Sequence, residues 1–290
     1  MSYSDKGELF QVKKFESECK YREALKILNI LEDREGPTIQ EQLEIHHLKS
    51  SLLFELGYMT KALNYAELAY RESRQLKNKF QIVDVLLTKI KILSKSDKQN
   101  QALRAIKTTE KLLRSINQKS STEFKEKEAY LMLCKGGYYF NMGELNRSLK
   151  YADEALNIAE KIKDKKLFML ATKLRNFNNY YKGELFHSLE SIKTYLALAE
   201  ELGDKQEIIG GLNSIGMFFT EKGDFKKALS YLERGLLLCD DINSFKTTVI
   251  LSSLFDVYIN MNSLENAEQC LERMKQLASQ TQFDLDGSFY

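Results

Sequence analysis

The stretch GDFKKALSYLERGL, residues 223–236, opens with a glycine that is followed by an acid, an aromatic residue and two lysines. Taken alone, it is compatible with a phosphate-binding turn, a piece of an active site or a corner between two helices. Its recurrence decides between these, because similar stretches start at Gly57, Gly143 and Gly183, each with a small residue five places later. Gly223 and Ala228 are therefore predicted to be packing residues of a repeated helical corner.

Weaker copies of the same corner place further turns at Cys19, Asp97 and Asn262. The seven turns are 38 to 46 residues apart, and the commonest spacing is 40. A second marker, IKDK at 162–165 and LGDK at 202–205, repeats with the same spacing of 40. Two corner signals with one period predict about seven units, each made of a helix A, a tight turn and a helix B.

The composition favours helix along the whole chain. One proline in 290 residues is far below ordinary usage, and proline interrupts helices. A lone helical hairpin cannot bury both of its sides, so neighbouring units must stack. We expect an all-α fold, a right-handed α-solenoid over residues 1–280. An acidic and aromatic tail, 281–290, follows it, and we expect this tail either to be disordered or to lie in the groove.

The small-residue pattern resembles that of the tetratricopeptide repeat family. It consists of a glycine seven residues before the turn (Gly136 and Gly216), the turn glycine itself, and small residues five and twelve places beyond it. That family usually has a period of about 34 residues. The longer period resembles the subclass found in kinesin light chains and in bacterial signalling-peptide receptors of the Rap type. The chain departs from the family in having no tryptophan in helix A and no proline after helix B.

No catalytic motif rises above the background of charged helix surfaces. The adjacent His46 and His47 cannot form a metal pair four residues apart on one helix face, and no HExxH, GxSxG, Walker-type or GxGxxG sequence occurs. The four cysteines are scattered without a CxxC pair. We therefore expect a protein that is not an enzyme and that has neither a cofactor nor a metal site.

The resemblance implies that the A helices line a concave groove for a partner peptide. Carrying the family's groove positions onto this chain gives the following candidates: Lys91, Lys95, Tyr130, Phe140, Asn141, Lys173, Asn176, Phe177, Asn179, Tyr180, Tyr181, Asn213 and Met217. The helix 170–182 departs most from the repeat, since asparagines stand where apolar residues belong. One interpretation is that these amides grip a peptide backbone beside aromatic pockets. The other is that the helix is rotated and its aromatic residues are ordinary core.

A basic sector lies between residues 77 and 127, which contain thirteen Lys and Arg residues and only five acidic residues. One interpretation is a positive wall, formed with Lys173, for acidic side chains or a C-terminal carboxylate. The other is a set of solvated helix faces. A nucleic-acid-associated adaptor is a minor alternative, because the net charge of the whole chain is only +2.

The sequence therefore predicts a non-enzymatic scaffold that binds a protein or peptide, with acidic or aromatic segments as candidate partners. The alternative function is a signalling-peptide receptor of the bacterial type. The N-terminus has no apolar secretion signal and no stretch reaches membrane-spanning length, so we expect a cytoplasmic protein that does not act at a membrane. The last unit lacks a polar capping helix, which makes self-association through the C-terminal end a further expectation.

Overall fold

The structure is a computed structural model that describes the backbone of residues 3–239 and 245–286. Side chains are described for 7–184, 189–239 and 246–279. These residues form fourteen helices, paired as seven hairpins: α1 (Tyr3–Ser17), α2 (Tyr21–Glu32), α3 (Ile39–Glu55), α4 (Met59–Leu76), α5 (Lys79–Ser94), α6 (Gln99–Arg114), α7 (Thr122–Asn141), α8 (Leu145–Ile162), α9 (Lys165–Tyr181), α10 (Leu185–Leu202), α11 (Lys205–Glu221), α12 (Phe225–Leu237), α13 (Phe245–Asn260) and α14 (Leu264–Asp286). The predicted all-α solenoid of seven hairpins is confirmed.

The odd-numbered helices form the inner layer. Each packs against its hairpin partner, and α3 also contacts α5, α5 contacts α7, α7 contacts α9, and α11 contacts α13. In a curved stack of two layers the helices on the concave side approach one another most closely, because that side has the smaller radius. The odd-numbered helices are thus the A helices of the repeat, and their free surfaces form what we call the inner face.

The corners lie where the repeat predicted them. Gly223 has φ +73°, a left-handed conformation that glycine adopts without strain. At the weak copies the same conformation is taken by Cys19 (φ 61°) and Asn262 (φ 56°). The third unit is the exception, because α5 ends at Ser94 and Lys95 after it is still right-handed. Its corner around Asp97 is made differently.

The glycine seven residues before the turn is required by close packing of the hairpin. A Cβ added to Gly216 would lie 2.5 Å from Cγ of Leu232, a side chain of α12 that is fully buried. Ala228, on the same helix, is also fully buried. The packing role that the sequence assigned to these small residues is confirmed.

The solenoid coils far enough for distant hairpins to meet. Nε2 of Gln206, at the start of α11, donates a hydrogen bond of 3.2 Å to Oε2 of Glu55, at the end of α3. These residues are 151 positions apart in the sequence. The corner at Cys19 is likewise close enough to Lys205 and Lys246 for their charges to influence its thiol. The inner face is therefore curved strongly enough to bring the second and sixth hairpins into contact.

A buried ion network joins the first two hairpins. His46 on α3 lies between two carboxylates: its Nε2 is 2.9 Å from Oε1 of Glu32, and its Nδ1 is 2.7 Å from Oε1 of Glu72. Lys49, only 2% exposed, also contacts Glu32. Burial alone lowers the pKa of His46, but the two carboxylates outweigh it and raise that pKa above its ordinary value. The two carboxylates thus stabilise the charged imidazolium, which donates to both of them.

This network predicts a pH dependence of stability. Because the pKa of His46 is raised in the folded chain, its stabilising contribution is complete below the unfolded value of about 6.5 and is lost as pH rises through the folded pKa. The free energy of unfolding, measured in urea between pH 6 and 8, should fall more steeply for the wild type than for His46→Gln. Equal slopes would contradict the prediction. The neighbouring His47 has a lowered pKa, so its contribution is lost as pH falls below the unfolded value of about 6.5, in the wild type and in His46→Gln alike.

The helices bear on two of the expectations: the absence of a membrane-spanning segment and the boundary of the C-terminal tail. None of the helices in the described ranges is both long and apolar enough to cross a bilayer. The last helix, α14, continues to Asp286 and so runs into the segment predicted as a tail, whereas residues 287–290 lie outside the described part of the chain. The domain boundary at residue 280 stays a prediction.

Candidate functional site

An aromatic patch lies at the C-terminal ends of α7 and α9 on the inner face. It consists of Phe140, Phe177, Tyr180 and Tyr181. The ring of Phe140 meets Tyr181 edge-on at 5.3 Å and lies 6.1 Å from Phe177, measured between ring centroids. Tyr181 is nevertheless 58% exposed. The patch thus holds a large aromatic side chain in place while leaving most of it accessible.

Tyr180 connects the patch to the next hairpin. Its hydroxyl donates a hydrogen bond of 3.1 Å to Oε1 of Glu221, at the end of α11. Burial and the Glu221 carboxylate raise the pKa of the Tyr180 phenol well above its usual range. The hydroxyl therefore remains a donor at any physiological pH, and the ring cannot swing away without breaking this bond.

The asparagines of α9 belong to the packed wall behind the inner face. Asn176 is 2% exposed and Asn179 5%, while Asn178 is fully buried. Nδ2 of Asn178 donates to Oγ of Ser148 and to the carbonyl of Leu174, both at 2.8 Å. A polar residue is tolerated at a packing position when it finds such partners. The asparagines are thus buried, whereas the aromatic Tyr181 of the same helix is 58% exposed, and peptide contact by Asn176 or Asn179 stays a prediction.

The remaining polar candidates also have partners within the protein. Nδ2 of Asn141 donates to the carbonyl of Ser94 at 2.6 Å, which joins the ends of α7 and α5. Nδ2 of Asn213 lies 3.4 Å from the sulfur of Met217, and its buried Oδ1 accepts no hydrogen bond from the described part of the chain. Tyr130 is half-buried, and burial raises its pKa to about 12. These side chains shape the groove wall, and their contact with a ligand is untested.

Charged side chains of adjacent hairpins form ion pairs on the inner face. Nζ of Lys91 lies 2.7 Å from Oε1 of Glu55, the carboxylate that also accepts from Gln206. Nζ of Lys173 lies 2.7 and 2.9 Å from the two oxygens of Glu207. Burial by itself raises the pKa of Glu207, but the nearby lysines lower it well below the usual range. The hydroxyl of buried Tyr195 donates to the same carboxylate.

Two further lysines complete a group that we call the lysine cluster: Lys91, Lys95, Lys173 and Lys246. Burial, followed by the charges of Lys173 and Lys91, lowers the pKa of Lys95. Burial and then Lys173 lower the pKa of Lys246, although Glu207 and Glu55 act in the opposite direction. Nζ of Lys246 lies 3.3 Å from the place that a Cβ on Gly210 would take. The cluster thus gathers side chains of α5, α9 and α13.

The groove positions carried over from the family missed three of these charged residues. Glu55 lies two residues before the turn of the second unit, the same position that Asn141 and Tyr181 occupy in their own units. No candidates were taken from the second unit. Glu207 and Lys246 each precede their turn residue by 16 positions, one helical turn beyond the window considered. Helix α11 begins at Lys205, so the extra turn is helical. A longer helix A in the repeat template would have found both.

The basic sector divides between the two layers. On α6 the residues Arg104, Lys107, Lys111 and Arg114 are exposed on the outer layer, as the interpretation of solvated faces expects. Lys91 and Lys95 lie instead on the inner layer. Other members form ordinary ion pairs, such as Lys127 with Asp84 at 2.8 Å. The sector is therefore not one continuous stripe.

No family model and no curated protein matches the chain. Solved structures do match it. A Rap protein complexed with competence and sporulation factor is 12% identical, with a TM-score of 0.65 over 91% of this chain and 86% of that one. The apo form of RapI is 16% identical, with a TM-score of 0.59 over 95% and 97% of the two chains. Aspartyl phosphate phosphatase F from Bacillus subtilis is 11% identical, with a TM-score of 0.57 over 91% and 76%.

The chain has a Rap-type, tetratricopeptide-like solenoid fold. At these identities the likeness concerns the fold alone, and it extends over nearly the whole chain. It confirms the resemblance inferred from the repeat period of about 40 residues.

Proposed function

We propose that this protein is a non-enzymatic regulator or scaffold that binds a segment of a protein or a peptide on its inner face, at the aromatic patch. The observation that carries the proposal is Tyr181, which is exposed yet held by the edge of Phe140 at 5.3 Å. A fixed aromatic ring gains contact area on binding and loses little conformational freedom, which is why such residues dominate recognition sites.

The form of the solenoid supports the same proposal. The inner face is curved enough to bring the second and sixth hairpins into contact, so a bound segment can meet several A helices at once. The aromatic patch already joins α7 to α9, and Tyr180 extends it to α11 through Glu221. A short segment at this place would therefore touch three successive hairpins.

A signalling-peptide receptor is the second candidate, and the comparisons favour it. The Rap protein with the TM-score of 0.65 was solved in complex with competence and sporulation factor. A receptor of this kind and a scaffold would use the same face, and they differ in the size of what they bind. Both would bind a short segment, and the natural ligand distinguishes them: a free peptide for a receptor and a segment of a larger protein for a scaffold.

The proposal is tested by selecting phage-displayed random dodecapeptides on the wild-type protein and measuring each selected peptide by calorimetry. Tyr181→Ala should weaken binding by about tenfold or more, because a buried aromatic anchor of an interface is worth about 2 kcal/mol. Since Tyr181 is exposed, its loss should leave the unfolding midpoint unchanged.

The matched control is Phe10→Ala, which removes an aromatic ring that is 73% exposed on α1, in the first hairpin. It should leave the affinity unchanged. The proposal is contradicted if no peptide is selected, or if the selected peptides bind Tyr181→Ala as tightly as the wild type.

A further inference from the structure

We infer that one edge of the solenoid binds the phosphate backbone of a nucleic-acid duplex. The edge is formed by the connections between one hairpin and the next, where a B helix ends and the following A helix begins. We call three successive connections, residues 74–79, 111–123 and 160–166, the basic edge. The aromatic patch lies at the other ends of α7 and α9, so the basic edge can be occupied independently of a segment bound there.

The packing of the A helices places the three connections side by side. Helix α5 contacts α7, and α7 contacts α9; these helices begin at Lys79, Thr122 and Lys165. Nζ of Lys79 donates a hydrogen bond of 2.7 Å to the carbonyl oxygen of Ser115, which joins the first connection to the second. Because packed helices lie about 8–10 Å apart, the basic edge extends over about 16–20 Å.

The basic edge has a large excess of positive charge. It contains ten Lys and Arg residues, all of them exposed, and three acids, so that its net charge is +7. The three acids are Glu123, Glu160 and Asp164. Within the described part of the chain, only Lys165 and Lys166 of the ten cations form ion pairs, with Glu201 and Asp204 of the next connection. Counting these two carboxylates as well still leaves a net charge of +5.

The opposite edge of the same three hairpins is nearly neutral. It is formed by the turns within the hairpins, residues 55–61, 95–101 and 141–147, which contain four cations and three acids. The net charge there is +1, although both edges belong to the same helices. The excess is therefore confined to one side of the solenoid, and the small net charge of the whole chain, +2, does not reflect it.

The fold of a connection does not require these lysines. Residues 200–206 form the next connection, 40 positions after 160–166, and their net charge is −2. Gly203 has φ +64° there, whereas Lys163 at the equivalent position has φ 57° and Lys77, in the second hairpin, has φ 56°. This left-handed backbone is strained for a lysine but not for a glycine. Two lysines thus occupy strained positions that a glycine fills elsewhere in the chain, and strain of this kind is typical of functional sites.

The composition of the basic edge fits a nucleic-acid backbone better than a protein or a membrane. All of its residues are described, and none of its large apolar side chains is exposed. A protein interface needs an apolar core, and helices that lie on a membrane insert apolar side chains. A duplex requires only cations, since it presents one negative charge per about 1.7 Å of its axis. Without exposed aromatic rings to stack on unpaired bases, the edge favours a duplex over a single strand, and the phosphates of DNA and RNA fit equally well.

Fluorescence anisotropy with labelled duplexes of about 30 base pairs tests this site and separates the two sources. One duplex is DNA and the other is RNA, each of mixed sequence, and the full chain is titrated into both at several salt concentrations. We expect at least one duplex to bind, with an association constant whose logarithm falls linearly with the logarithm of the salt concentration. Flotation with phosphatidylcholine vesicles, with and without phosphatidylserine, measures binding to a membrane in parallel.

Lys77→Asn combined with Lys163→Asn removes two charges from the basic edge. Asparagine takes the left-handed backbone more readily than lysine, so this variant should fold at least as stably as the wild type. It should bind the duplex about tenfold or more weakly at low salt, and its salt slope should fall by about two, one for each lost phosphate contact. The control, Lys98→Asn with Lys226→Asn, removes the same charge from exposed positions at the opposite edge. It should change the affinity by less than about threefold and leave the slope unchanged.

Three results would overturn the assignment. The first is that neither duplex binds, whether or not vesicles with phosphatidylserine do. The second is that the Lys77 and Lys163 double variant binds the duplex as tightly as the wild type. The third is that the control variant loses as much affinity, since the binding would then depend on net charge and not on this edge. All three leave the proposed function untouched, because that function is measured with peptides bound on the inner face.

Discussion

Replacing Glu207 with alanine should destabilise the protein by about 3 kcal/mol, because removing one partner of a buried ion pair leaves the other charges unpaired. The carboxylate of Glu207 accepts from Lys173 at 2.7 Å and from the hydroxyl of buried Tyr195, and it lowers the cost of placing Lys246 nearby. The free energy of unfolding in urea measures the loss. Glu207→Gln should lose less, since an amide oxygen still accepts from Tyr195.

Glu268→Ala is the matched control, because Glu268 is exposed on α14. Surface substitutions of this kind usually change stability by less than about 0.5 kcal/mol. If Glu207→Ala were as stable as this control, the lysines would not depend on Glu207, and the charge balance described for the inner face would be wrong.

The second large effect is expected where α11 crosses α12. Gly216→Ala places a Cβ 2.5 Å from Cγ and 2.6 Å from Cδ2 of Leu232, and overpacking of this kind costs about 1–3 kcal/mol. Leu232→Ala removes a fully buried side chain and should cost about 2–5 kcal/mol. The double variant should be destabilised by less than the sum of the two, because the added Cβ occupies part of the space that Leu232 leaves.

A double-mutant cycle by urea unfolding measures this coupling, and strict additivity would contradict the close contact. Gly137→Ala provides the control, one residue after Gly136, the position in α7 that is equivalent to Gly216. A Cβ at Gly137 meets no atom within 4 Å, and the residue lies inside α7. Alanine there should stabilise the protein by about 0.5–1 kcal/mol, the usual difference from glycine in a helix. The same substitution thus has opposite signs at two glycines.

The fold was predictable because its packing depends on contacts between neighbouring helices, and these contacts recur in each unit. A residue such as Gly223 or Gly216 has its role set by the adjacent helix only, and seven copies make a weak signal strong. Asp97 shows the limit of this reasoning: the sequence placed a turn there, but the backbone closes it without the left-handed residue found in the other units. The hydrophobic spacing fixed where helices lie, and left the conformation of that corner open.

The candidate site was only partly predictable. Phe140 and Tyr181 were found because they occupy family groove positions, and the structure brings them together. Asn178 was missed, since its role depends on Ser148 in a different hairpin. The hydrogen bond between Gln206 and Glu55 lay beyond sequence reasoning altogether. Each repeat is rotated slightly relative to the one before it, and the sum of these rotations decides which hairpins meet. No local sequence pattern specifies that sum.

That hydrogen bond distinguishes this chain from an open repeat array. In an open array each unit contacts only its neighbours, so adding or deleting a unit changes the stability only through the contacts at that place. Here the second and sixth hairpins are in contact, and the number of units between them sets the angle at which they meet. The number of hairpins therefore determines which residues meet across the solenoid. A chain with one hairpin more or fewer would bring different side chains opposite Glu55 and would separate the charged residues of the inner face.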